Sequence, residues 1–184
     1  MISGKYNADY RLENELDPRT GKLRTVPVYH GPLFSFVREG KTVANMRRLY
    51  PILTGAACLV YFALLTTNTA AGRTAYVLLP FAALCFPLLY AAMGCYRLIT
   101  AKGQVTREHK DKIQNRLAGA SACIMGFSGA SIVGHIVYWC LNGETAGDLL
   151  LLVGALVIFG CGLSMFLLRK NLEMTQTGST VKEH

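Results

Sequence analysis

His135 is the one imidazole that this sequence places inside a long apolar run, and by type it is the residue best suited to move a proton or hold a ligand there. It lies six residues beyond the middle of its run, next to the aromatic pair Tyr138 and Trp139. That is also the composition of an interfacial aromatic belt, so a structural or interfacial role is the first expectation and proton or substrate handling the second. No second histidine stands at ligand spacing, and none of His30, His109 and His184 falls on the same side of the apolar runs, so no metal is expected. Glu144 and Asp148 flank the following link. Asp148 is placed at the start of a helix, where negative charge suits the dipole, and two carboxylates are thin support for a cation-attracting vestibule.

Other chemistries find less support. The six cysteines (Cys58, Cys85, Cys95, Cys123, Cys140 and Cys161) lie in or at the edge of the apolar runs and form no C-x-x-C pair. Disulfide exchange needs two neighbouring thiols, so they are read as small, polarisable residues that fill space between helices. No phosphate-binding loop, nucleophile elbow, kinase signature or zinc-protease motif occurs, and neither an enzyme nor a cofactor is expected. A membrane enzyme acting on lipids, with a basic rim collecting anionic headgroups, stays as a third possibility.

The elements that hold these residues are four apolar runs, 49–67, 74–96, 117–141 and 149–168, none with an Asp, Glu, Lys or Arg. At about 1.5 Å per residue each can cross a hydrocarbon core of about 30 Å as a helix. Backbone in lipid must satisfy its own hydrogen bonds, which leaves helix as the conformation. The fold class expected is therefore an all-α integral membrane protein of four transmembrane helices, with a short N-terminal cytosolic β-hairpin arm. It divides into an arm over 1–48, a transmembrane domain over 49–168 and a cytosolic tail over 169–184.

Orientation follows from Lys and Arg. Nine precede the first run, six lie between the second and third, and Arg169, Lys170 and Lys182 follow the fourth, whereas Arg73 alone occupies the other side. Basic residues stay in the cytosol, so both termini are expected inside a plasma membrane. This accounts for the net charge of +8 without nucleic acid, for which no motif exists. Arg47, Arg48, Arg97, Lys102 and Arg116 flank the runs and are expected to meet anionic lipid headgroups. The polar stretch Met1–Tyr10 lacks an apolar stretch ahead of a small-residue site, so no cleaved signal peptide is expected.

The arm has pattern of its own. Tyr10, Leu12, Asn14 and Leu16 alternate with charged residues, Asp17-Pro18-Arg19-Thr20-Gly21 reads as a turn, and Leu23 to Tyr29 resumes an extended run, predicting a β-hairpin over about 10–29. An isolated hairpin is marginal in water, so it needs its own bundle, a second copy or a partner to lie against. Leu33, Phe34, Phe36 and Val37 form a small apolar cluster. Residues 41–50 then read as an amphipathic lead-in along the headgroup layer, with Pro51 kinking it or starting a new helix.

In the third run Ala118, Ala122, Gly126, Ala130 and Gly134 recur every four residues and predict a close helix–helix contact, although eleven of its 25 residues are Gly, Ala or Ser. That helix is expected to begin near Thr106, and Gly154 makes the fourth run its partner. Pro80 and Pro87 free the carbonyls of Tyr76 and Ala83 in the second run. Together these features predict a non-catalytic scaffold or accessory subunit that assembles with itself or a larger membrane complex. The alternative is a small oligomeric transporter or channel with His135 near the pathway.

Overall fold

The computed structural model describes residues 4–16, 22–36, 41–101, 103–143 and 146–177. Strands β1 (Tyr10–Leu16) and β2 (Leu23–Tyr29) pair antiparallel from Tyr10 opposite Tyr29 to Leu16 opposite Leu23. The expected hairpin is therefore present; its turn over 17–21 lies outside the described residues. Strand β3 (Leu33–Phe36) follows, so the apolar cluster there is a strand.

Four helical segments are long and apolar enough to cross a membrane. The first, α1 (Lys41–Leu65), is a single helix that continues through Pro51. The lead-in over 41–50 is thus no separate surface helix: Val43, Met46 and Tyr50 are buried against the bundle. Their spacing of three to four residues carries the apolar stripe of the later turns straight back to the helix start. The second segment divides at Leu84 into α2 (Ala75–Ala83) and α3 (Cys85–Thr100). There Leu84 N–H donates to Phe81 O at 3.2 Å, a tighter turn than the α-helix makes. Strand β4 (Val105–Thr106) leads into α4 (Arg107–Asn142), whose start is capped by Thr106 Oγ1 accepting from His109 N at 3.4 Å. Then come α5 (Ala146–Leu168), a short 3-10 turn over Arg169–Leu172 and strand β5 (Met174–Thr177).

Helix α4 is central, with α2 and α3 on one side and α5 on the other, while α1 packs on α3 and α5. Its buried face runs through Leu117, Ser121, Ile124, Ser128, Ser131 and His135, a spacing averaging about 3.6 residues and so a straight stripe. The four-residue row of small residues cannot follow it, because each step overshoots one turn by about 40°. The row therefore divides. Ala118 is half-buried, Ala122, Gly126 and Ala130 are exposed, and Gly134 is buried. A methyl group on Gly134 would sit 2.8 Å from the Tyr76 carbonyl oxygen, and one on Gly154 would run into Leu64 Cδ1 of α1. Gly154 thus serves the contact of α5 with α1.

Between these helices the core is filled by Leu84, Leu98, Ile113, Leu117, Ile124, Ile158 and Met165, all nearly inaccessible. Tyr50 Oη donates to Met165 O at 2.8 Å, closing a helix carbonyl within that apolar interior. At the end bearing the termini, β3 lies between β4 and β5 in an antiparallel three-stranded sheet, joining the arm, the middle link and the C-terminal segment. Phe36, Val105 and Met174 point from it into the core. The arm is fastened to its own bundle: Tyr6 Oη donates to Asp111 Oδ2 at 3.0 Å, and Arg107 N donates to Tyr29 Oη at 3.1 Å. Burial pushes the Tyr29 phenol above its ordinary value, so the hydroxyl stays protonated and donates to Pro32 O at 2.9 Å.

Two glycine substitutions on α4 should act with opposite sign. Gly134→Ala forces the α2 backbone away and should cost about 1–3 kcal/mol. Gly126→Ala meets no atom within 4 Å and should gain about 0.5–1 kcal/mol from helix propensity. Thermal unfolding of the detergent-purified protein checks both, and equal shifts would contradict the divided row.

Candidate functional site

At the end away from the termini, the link over 66–74 folds onto the helices through its own short polar side chains. Thr69 Oγ1 accepts from Gly72 N at 3.0 Å, Thr74 Oγ1 donates to Ala71 O at 2.6 Å, and Arg73 donates to Asn68 Oδ1 at 2.9 Å. Into this fold reaches Asp148, fully buried in the first turn of α5, where its Oδ1 accepts from Ala71 N at 3.0 Å. A carboxylate tolerates that burial because an amide donates to it and the positive end of the α5 dipole lies beneath it. The residue expected as a dipole partner is thus also the anchor of a neighbouring link.

His135 of α4 lies near Asp148 and is 1% exposed. It lies in the interior and does not reach the outer face of the bundle, because the period of α4 carries its buried stripe through position 135. Neither ring nitrogen makes a hydrogen bond of normal geometry, although Asp148 lies beside the ring. Ser131 Oγ and Trp139 Nε1, one turn to either side, are also buried without a hydrogen bond. The Trp139 ring stands edge-on to the imidazole at 6.5 Å between centroids. Ser131 Oγ makes no hydrogen bond to His135. What the stripe offers is a buried row of polar atoms beside a buried carboxylate, able to exchange protons or take a small polar partner. The nearby cavity of about 100 Å³, lined by Asn68, Thr69, Arg73, Val77 and Leu151, does not include His135.

The basic residues at the other end separate into two groups. Arg47 is not free for headgroups: it donates to Ala101 O and its guanidinium lies 5.7 Å from the Phe36 ring centre. Helix α1 aims it at the end of α3, where an unpaired helix carbonyl is the nearest acceptor. Arg48 is exposed, and Lys102 and Glu144 lie outside the described residues. Arg97 and Arg116 come together with His109 along a groove between α3 and α4. The Arg116 guanidinium lies 5.4 Å from the Tyr90 ring centre, and its Nη1 is buried without a hydrogen bond. Sequence reasoning missed His109 here, although it stands seven residues from Arg116, two turns of one helix face.

Asp148→Ala should strip the Ala71 amide of its acceptor and cost about 1–3 kcal/mol, with faster amide exchange across 69–74. Asp148→Asn keeps an oxygen acceptor and should retain most of the stability, which exchange measured by mass spectrometry separates from the alanine variant. Compared with protein-family models, with curated proteins and with solved structures, this chain matches none.

Proposed function

We propose that the protein is a multi-pass plasma-membrane protein with both termini in the cytosol, acting without catalysis as a scaffold or accessory subunit of a membrane assembly. Its four apolar helices, with Arg48, Arg97, Arg107, Arg116, Arg169 and Lys170 at one end, support that orientation. The observation that carries the subunit reading is the hairpin. Tyr6 and Tyr29 fasten the arm to the bundle, yet Leu12 and Leu23 are 75% and 70% exposed. A fastened strand pair with bare apolar side chains and open edges is a surface that another chain can extend or cover. On α4 the exposed small side of Ala122, Gly126 and Ala130 adds a second flat face within the apolar belt.

The buried ring of His135 favours a second reading, a small oligomeric transporter or channel. Against it, the core from Tyr50 to Ile158 is filled with large apolar side chains.

Two experiments test these readings. A cysteine replacing Asn142 should react with a membrane-impermeant maleimide on intact cells, and one replacing Arg48 only after permeabilisation; the reverse pattern would invert the topology. Mild-detergent purification from native membranes should yield a stoichiometric second protein that is lost when residues 1–32 are removed. A homo-oligomer indifferent to the truncation, moving solute in vesicles until His135→Ala abolishes the flux, would replace the subunit reading with the transporter.

A further inference from the structure

The seam between α3 and α4 carries two neighbouring grooves. The one nearer the termini, about 740 Å³, has Arg97, His109 and Arg116 along its edge and Leu89, Met93 and Tyr96 along its wall. The deeper one, about 450 Å³, is lined by Phe86, Tyr90, Gly119, Cys123 and Phe127 and is almost wholly apolar. Arg116 of the first groove lies over Tyr90 of the second, one turn of α4 before Gly119. The wall is open to the surroundings of the bundle: Phe86, Tyr96 and Leu89 are 77%, 69% and 59% exposed.

We propose that this seam is a binding site for one anionic phospholipid of the leaflet at the basic end, its phosphate held by Arg97 and Arg116 and an acyl chain laid along Tyr90, Gly119 and Phe127. Its dimensions fit. From Arg97 to Phe86 the α3 axis covers about 16 Å, close to one leaflet's share of a hydrocarbon core of about 30 Å. Its charge fits as well. Among the described residues neither arginine pairs with a carboxylate, and the neighbouring Glu108 is taken by Lys112. Guanidinium groups match phosphate oxygens in paired geometry, and Arg116 presents a buried, unbonded Nη1. An apolar helix from another chain would fill the deep groove but would bury both guanidinium groups without an acceptor, which selects a lipid over a helix as occupant.

The site rests on the reading that these helices span a bilayer, so the test separates the two. The delipidated protein is first floated with vesicles of palmitoyl-oleoyl phosphatidylcholine containing phosphatidylglycerol; failure to float overturns the membrane reading itself. Lipid retention is then measured by native mass spectrometry with each of these two lipids. Phosphatidylglycerol should be retained over phosphatidylcholine, and Arg97→Gln and Arg116→Gln should each weaken its retention about fivefold. Arg107→Gln, an exposed charge at the same end but off the groove, should leave it unchanged. Gly119→Leu, at a position with nothing within 4 Å, fills the chain channel with the charges intact and should lower retention of both lipids. Equal retention of the two lipids, an equal loss in Arg107→Gln, or a dimer that excludes lipid from the seam would overturn the site.

Discussion

The second apolar segment joins the bundle at two places, beside Pro80 and at the break at Leu84. In apolar surroundings each backbone carbonyl that loses its helical donor must be met by a neighbour. Pro80 has no N–H to donate to Tyr76 O, and Gly134 of α4 packs beside that carbonyl, where a methyl group would intrude. Near the break at Leu84, Tyr61 Oη reaches Ala82 O at 3.4 Å. Thus α2 meets α4 at Gly134, and the tightened turn at Leu84 lies where the segment meets α1. The aromatic contact of Tyr61 with Phe81, 5.2 Å between ring centres, seals the same junction.

The two ends of the bundle solve the same problem by different means. At the end away from the termini buried polar side chains satisfy the connections: Asp148 receives the Ala71 amide and Thr69 that of Gly72. At the basic end strands satisfy one another. The sheet order β4-β3-β5 draws three distant segments together, with Phe36, Val105 and Met174 as an apolar underside. Cations lie against its aromatic residues, Lys110 being 4.0 Å from the Phe34 ring centre and Arg47 donating to Ala101 O beside it. This end is therefore locked, while the hairpin beyond it keeps its apolar side chains outward.

A lipid in the α3–α4 seam and a protein at the hairpin would use different surfaces of one molecule. The seam lies within the apolar belt and is basic only at its rim; the hairpin stands beyond the helix ends. A bound anionic lipid would neutralise Arg97 and Arg116 next to His109, at the base of the helix whose first turn receives Tyr29. Lipid binding at Arg116 and the seating of the arm at Arg107 would thus share the first three turns of α4.

Local pattern alone determined the four apolar helices, the hairpin over 10–29 and the Thr106 cap, because each depends on contacts or periodicities within a few residues. Alternation from Tyr10 to Leu16 and from Leu23 to Tyr29 is a two-residue period, and the charge-free runs are long enough to need no partner to be recognised. The sheet was not legible, since Val105–Thr106 and Met174–Thr177 are too short to carry a pattern and become strands only by pairing with Leu33–Phe36. Nor was the face of α4 legible from its small residues: a four-residue row drifts round a helix of about 3.6 residues per turn, so Gly126 ends outside and Gly134 inside. The place of His135 depended on the same rotation, and the partnership of Asp148 with Ala71 on a loop 77 residues away. Such choices rest on which surfaces meet, and that is decided only when the helices pack.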